Sequence, residues 1–313
     1  MPRTPERILQ RLDWTVIRRL DGLLQGDYRT VFRGQGLDLA DIREYAPGDD
    51  VRYIDWNVTA RMDGPYVREY LEEREIAAHF LLDLSPSMDF GTAQTKKLDL
   101  LIDLVGALAR VLTRRGNRVG AILYGRGVER VIAARTGRIQ VLRILDLLLD
   151  RPRPASAPFT RLSDLLEAAA RTVRRRSLLV VVSDLITAPG WERALGQLAR
   201  RHEVLAVRIV DPRERDLPDI GAVFMTDAET GEQLYIDTSD PRFRARFSAI
   251  AKRREAQLMA TFRRAHVDVL TLSTEADLVT SILRFAARRK LAHGRHQGAA
   301  GSGGSVTAWA GAG

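Results

Sequence analysis

The chain has 313 residues, 45% apolar and 28% charged, and carries a net charge of +9 from 49 basic and 40 acidic side chains. This balance suits one large or two modest globular domains with a sizeable core and excludes disorder as the main state. Cysteine is absent, which excludes disulfides, thiolate-bound metals and thiol nucleophiles, and neither a membrane-spanning run nor a signal-peptide core is found, so a cytoplasmic protein is expected.

In chain order, Ile8, Leu12, Val16, Leu20 and Leu24 recur about four apart, predicting an amphipathic helix over 5–25. Residues 29–76 show no long period. Gly34, Gly36, Pro47, Gly48, Gly64 and Pro65 alternate there with Tyr45, Tyr53, Trp56, Tyr66 and Tyr70. Such a loop-rich segment is expected to pack its aromatics on the main domain and pair its charges at the rim, the alternative being a solvated loop with incidental charges that would expose many aromatics. The pattern changes at residue 76. Ile76–Leu82 is a short apolar run ending at Asp83, followed by a helix from Lys97 to Arg115, the strand Arg118–Tyr124 and a second run, Glu129–Ala133. Helices are predicted at 137–149 and 161–175, and Ser177–Val182 is an almost purely apolar strand ending near Asp184. A helix at 190–201, the strand Glu203–Val210, a helix at 240–265, the strand Val267–Leu272 and a helix at 275–289 complete the alternation.

Continuously apolar strands alternating with amphipathic helices define the expected fold class: α/β, with a doubly wound, mostly parallel sheet covered by helices on both faces. Three parts follow: residues 1–75, a helix and loop-rich segment packing on the main domain; 76–290, the main domain, with a small hairpin inserted at about 211–239 around Glu229-Thr230-Gly231; and 291–313, a Gly/Ala/Ser-rich flexible tail.

The chemistry-bearing residues follow the first strand of the main domain. Asp83, Ser85 and Ser87 lie in Asp83-Leu84-Ser85-Pro86-Ser87, where ligands bind beyond the carboxyl ends of parallel strands. One carboxylate and two hydroxyls without a base suit a hard cation, Mg²⁺ or Mn²⁺, better than nucleophilic catalysis. This Asp-x-Ser-x-Ser pattern resembles the metal-ion-dependent adhesion site of von Willebrand factor A domains. The resemblance implies a strand order 3-2-1-4-5-6, a Thr ligand in a later loop and a second Asp after the fourth strand, which Thr160 and Asp184 match. Thr160 follows Pro158-Phe159 rather than Gly-Gly, leaving Ser156 and Ser163 as alternatives, and Asp184 precedes Leu185 rather than Gly. Read otherwise, Thr160 and Asp184 are helix N-caps.

A second resemblance rests on Gly36-Leu37-Asp38-Leu39, Asp41-Ile42-Arg43-Glu44-Tyr45, Pro47-Gly48-Asp49-Asp50 and Arg52-Tyr53-Ile54-Asp55-Trp56, with Asp211 to Pro218 and Glu229-Thr230-Gly231. Together they resemble the bacterial Domain of Unknown Function 58 family. That resemblance, over about residues 29–290, implies a non-enzymatic accessory or adaptor role beside a MoxR-type AAA+ ATPase. A partner's acidic residue would complete the metal's coordination.

Two rivals are weighed. A Mg-dependent phosphate-ester hydrolase of haloacid-dehalogenase type needs an acid two positions past its nucleophile, and Ser85 stands there; phosphate-loop and dinucleotide glycine motifs are missing. A basic nucleic-acid module is suggested by the charge. However, only Lys96, Lys97, Lys252 and Lys290 are lysines against 45 arginines, as a GC-rich coding bias would give. Residues 1–76 carry −3 and the remainder +12, and the aromatics cluster in the acidic part rather than among the arginines.

Overall fold

The computed structural model describes residues 3–13, 15, 42–46, 49–51, 54–62, 64–68, 77–91, 95–151, 160–226 and 231–300, with side chains up to 289. Its centre is a six-stranded sheet of β3 (Ala77–Asp83), β4 (Arg118–Tyr124), β5 (Val128–Arg135), β6 (Leu178–Ser183), β7 (Glu203–Val210) and β10 (Asp268–Ser273). The spatial order is β10-β7-β6-β3-β4-β5, and every pairing is parallel except β4 with β5. Counting these six strands along the chain, this is the order 3-2-1-4-5-6. β3 and β6 lie side by side although about a hundred residues separate them, because the chain leaves β3 toward β4 and leaves β6 toward β7.

Strand side chains alternate between two apolar layers, as the two-residue period of a pleated strand requires. Ala78, Phe80 and Leu82 of β3 and Leu178, Val180 and Val182 of β6 meet α1 (Pro5–Leu12), α3 (Lys97–Arg114), α4 (Arg138–Leu149) and α8 (Leu278–Ala300). Leu81, Leu179 and Val181 meet α5 (Leu162–Thr172), α6 (Trp191–Arg201) and the last turns of α7 (Pro241–Arg264), where Phe262 lies against Trp191.

Gly120 marks a close approach of β5 to β4. A Cβ there would come within 2.7 Å of the Ile132 carbonyl oxygen, at one of the register shifts in this antiparallel pair. A hairpin of β8 (Ala222–Thr226) and β9 (Gln233–Asp237) lies within 211–239 as expected, with Gly231 at positive φ; Glu229 and Thr230 fall outside the described residues.

The N-terminal part is described in pieces. α1 buries Ile8, Leu9 and Leu12 against α3 and α4, and Arg3 and Arg11 pair with Asp99 and Asp103 of α3. The continuation of that helix over 16–25 lies outside the described residues, as do Gly36 to Asp41, Pro47, Gly48, Arg52, Tyr53, Tyr70 and Ile76. What is described forms β1 (Ile42–Glu44) antiparallel to β2 (Tyr66–Arg68), and the short helix α2 (Trp56–Thr59).

One expectation changes here. Trp56 is 70% exposed rather than packed. The Arg43 guanidinium grips both oxygens of Asp49, at 2.6 and 2.7 Å, an ion pair inside the segment itself. A bidentate pair within one turn orders less chain than a distant one and competes well with it. At the other end, α8 continues to Ala300, past the expected start of the tail at 291. Leu291, Ala292, Arg295 and Gln297 are good helix formers, which offset the glycines among them. Residues 301–313 are outside the described set. Among the described residues, no helix is long and apolar enough to cross a membrane.

Candidate functional site

The loops leaving β3 and β6 meet at the carboxyl edge of the sheet. After Asp83, Pro86 opens a short 3₁₀ turn, Pro86–Asp89, that keeps Ser85 and Ser87 close to the strand end. Asp83 is fully buried, and Ser85 and Ser87 are almost so. The Ser85 amide donates to Asp83 Oδ1 at 3.1 Å, and the Ser85 and Ser87 hydroxyls lie 3.1 Å apart. The loop backbone is pinned from both sides: Leu84 N donates to the Tyr124 carbonyl at 2.7 Å, and Arg151 donates to the Leu84 carbonyl at 2.6 Å.

From β6, the Ser183 hydroxyl donates to Asp83 Oδ2 at 2.6 Å. Asp184 follows, 3% exposed, with Oδ1 accepting from Ile186 N at 2.9 Å. Asp184 is therefore the start of an Asx turn and not a helix cap; α6 begins only at Trp191, after Gly190. Burial pushes the Asp83 carboxyl up to about 6, and the negative charge of Asp184 adds to that, against the lowering pull of its hydrogen bonds from Ser183 and Ser85. Leu185, where the von Willebrand A resemblance calls for glycine, takes φ +62 and is buried among the α5 and α6 side chains. A left-handed leucine is strained, and burial of its side chain offsets that cost.

Thr160 is brought to the same edge through its backbone. Its carbonyl accepts from Thr187 Oγ1 at 2.8 Å and Ala188 N at 2.9 Å, tying it to the loop that carries Asp184. It does not cap α5: Arg161 occupies the cap position, and the Leu162 amide is satisfied by Thr187 Oγ1 at 2.9 Å. Ser163 lies inside α5 with its hydroxyl on Asp164, and Ser156, Pro158 and Phe159 are outside the described residues.

The largest feature missed in sequence is Lys97. It opens α3 fully buried, and its ammonium donates to Asp184 Oδ2 at 2.6 Å and Glu214 Oε1 at 2.5 Å. Burial pushes its pKa down, but the two carboxylates outweigh burial and leave it above its ordinary value. Burial likewise raises Glu214, against the pull of Lys97. Glu214 belongs to a 3₁₀ turn, Pro212–Glu214, capped by Asp211, whose Oδ2 accepts from Thr274 Oγ1 at 3.0 Å. A signal for Lys97 existed: in a chain with 45 arginines, a lysine runs against the composition. An ammonium fits a closed two-carboxylate niche better than a planar guanidinium does.

Among the described residues, no cluster of three or more His, Asp or Glu is placed to hold a metal. Any ion here would be held by a hydroxyl-rich set with few carboxylates. The donors present fit that description. Adjacent ligands of an octahedral Mg²⁺ at about 2.1 Å lie about 3.0 Å apart, close to the Ser85–Ser87 spacing of 3.1 Å. Asp184 and Glu214 share the Lys97 ammonium, while the Asp83 carboxyl accepts from the Ser85 amide and the Ser183 hydroxyl.

These features define a mixed α/β protein whose central, mostly parallel sheet carries a buried polar centre at one edge. The chain belongs to the family described as protein of unknown function DUF58, matched over residues 41–257. An uncharacterised protein of Mycobacterium tuberculosis (strain H37Rv) is 37% identical over 290 residues, covering 92% of this chain and 91% of the relative. A second, from Mycobacterium avium, is 36% identical over 159 residues, covering 51% of this chain and 94% of its own. Among solved structures, the chain is similar to the conserved hypothetical protein BatB from Bacteroides thetaiotaomicron, at 14% identity and TM-score 0.45, over 69% of this chain and 99% of that one. It is also similar to an aerotolerance-related membrane protein from Bacteroides fragilis, at 15% identity and TM-score 0.49, with the same coverage.

Proposed function

We propose that this chain is a non-enzymatic, metal-dependent protein–protein interaction module with a doubly wound, von Willebrand A-like main domain. The observation that carries the reading is the meeting of Asp83, Ser85, Ser87 and Asp184, all buried, where β3 and β6 diverge. That crevice is where open α/β sheets bind ligands. Asp83 would supply the main negative charge, Ser85 and Ser87 direct hydroxyls, Thr160 a further hydroxyl, and Asp184 a direct or water-mediated contact. A Mg²⁺ or Mn²⁺ ion held there supplies an open coordination position for an acidic side chain of a partner. The family resemblance nominates a MoxR-type AAA+ ATPase as that partner. Ser85, where a haloacid-dehalogenase-type hydrolase needs an acid, counts against the enzymatic alternative.

Calorimetric titration of Mg²⁺ and Mn²⁺ into wild type and Asp83→Ala tests the site. Saturable heats that vanish in the variant are expected, and equal heats in both would remove the metal. Capture of a purified MoxR-type ATPase, lost on adding chelator, is the matching test of the adaptor role; chelator-insensitive capture would defeat the adhesion mechanism.

A further inference from the structure

Lys97 is not among the residues that the metal-binding reading requires, yet it is a fully buried charge at this edge. A buried ammonium is costly unless its protons are satisfied by charged partners. Here the partners are Asp184, on the loop after β6, and Glu214, on the turn after β7, while the Phe90 ring centroid lies 5.6 Å from Nζ. Both oxygens of Asp184 are thereby engaged, one by Lys97 and one by Ile186 N. Asp83 accepts from the Ser85 amide and the Ser183 hydroxyl, and the Ser85 and Ser87 hydroxyls lie 3.1 Å apart, a set of bonds separate from those of the ammonium.

We infer that Lys97 is a resident cation of this site, holding Asp184 and Glu214 so that Asp184 reaches a divalent ion at Asp83, Ser85 and Ser87 through water rather than directly, and setting the ion's affinity from a residue that is not itself a ligand. The inference rests on the metal-binding reading above and adds a regulation to it. A fixed positive charge beside an ion site weakens cation binding, and a nearby carboxylate strengthens it. Glu214 leads into the segment that carries the β8–β9 hairpin. Any partner or movement that draws Glu214 away from Lys97 therefore changes the charge presented to the ion without displacing Asp83, Ser85 or Ser87.

The test uses the full chain. Mn²⁺ and Mg²⁺ affinity is measured by calorimetry, and melting temperature with Mg²⁺ or with chelator, for wild type, Lys97→Met and Glu214→Gln. Lys97→Met is expected to bind the ion about tenfold tighter, and its melting temperature to become dependent on the divalent ion. Glu214→Gln, which keeps the ammonium on Asp184, is expected to bind severalfold more weakly. Unchanged or weaker binding by Lys97→Met overturns the inference. If that variant does not fold, Glu214→Gln decides alone, and unchanged or tighter binding overturns it. Wild type binding no ion while Lys97→Met gains a Mn²⁺-dependent melting temperature would support the resident cation and overturn the metal reading of the native site. Ion binding in wild type with unchanged affinity in both variants would do the reverse.

Discussion

α3 and α7 flank the same sheet on opposite faces and are built on opposite terms. Of the 18 residues of α3, 14 are buried, on every side of the helix. Of the 24 residues of α7, only Phe262 is. A helix that is apolar all round needs cover on its outer side, and α3 gets it from α1 and α4. Leu12 of α1 comes so close that a Cβ on Gly106 would approach its Cδ1 to 2.8 Å. From Pro241 to Arg254, α7 carries six basic residues and no acidic one, and this stretch is tied to its surroundings by polar links. Arg244 pairs with Asp219 at 3.0 Å, and Arg254 donates to the Leu185 carbonyl at 3.0 Å. The difference teaches where rigidity is needed: the helix that carries Lys97 into the site is locked on all sides, while the helix beyond the inserted hairpin is free to be polar.

The sharpest way to break this comparison is to cut into α3. Leu104 is fully buried between the sheet and the outer helices, so Leu104→Ala removes packed methyls and leaves a cavity. A loss of about 2–5 kcal/mol is expected in denaturant unfolding, with a lower midpoint at unchanged slope. A loss below about 1 kcal/mol would mean that the outer cover is loose and that α3 is not the rigid member of the pair.

A smaller effect comes from pH. His79, on β3, is held down to about 4, first by burial and then by the charges of His202 and Arg118. In the unfolded chain the imidazole takes its proton near pH 6.5. Between 6.5 and about 4 the unfolded state therefore binds more protons, and stability falls as the pH drops through that window. Asp83, raised to about 6, takes up a proton in the folded state over the same window and offsets part of this loss, so the difference between proteins is what counts: from pH 7 to 4.5 wild type should lose more unfolding free energy than His79→Phe does. Burial and Arg201 also depress His202, which keeps the remainder. An identical slope in the variant would show that β3 tolerates a charged imidazole.

Much of this architecture is legible in the order of residues. Val180-Val181-Val182 reads as an interior strand from its β-branched run, whereas the six-strand order is implied by the von Willebrand A resemblance and not by the alternation of helices and runs. Asp83, Ser85 and Ser87 are readable because strand ends place them in one short loop. Asp184 joins them because β6 pairs directly with β3. The Lys97–Glu214 contact is not readable in the same way. It spans 117 residues and depends on how the start of α3 meets the turn after β7, and neither local period nor motif encodes that approach. Trp56 misled for a related reason. Aromatic residues among turns imply a packing partner, but which of them finds one depends on tertiary geometry, and α2 turns this one outward.

The smallest expected effect sharpens the contrast from the other side. Ile250 lies midway along α7 at 61% exposure, with Arg246 and Arg253 one turn to either side and also exposed. Ile250→Ala deletes apolar surface that water already reaches, and alanine is the better helix former. The two effects are opposed, so the change in unfolding free energy should stay within about 0.5 kcal/mol. The same measurement on Leu104→Ala provides the scale. A loss at Ile250 approaching the value at Leu104 would show that α7 is covered in solution as closely as α3 is, and the two faces of the sheet would then differ in charge alone.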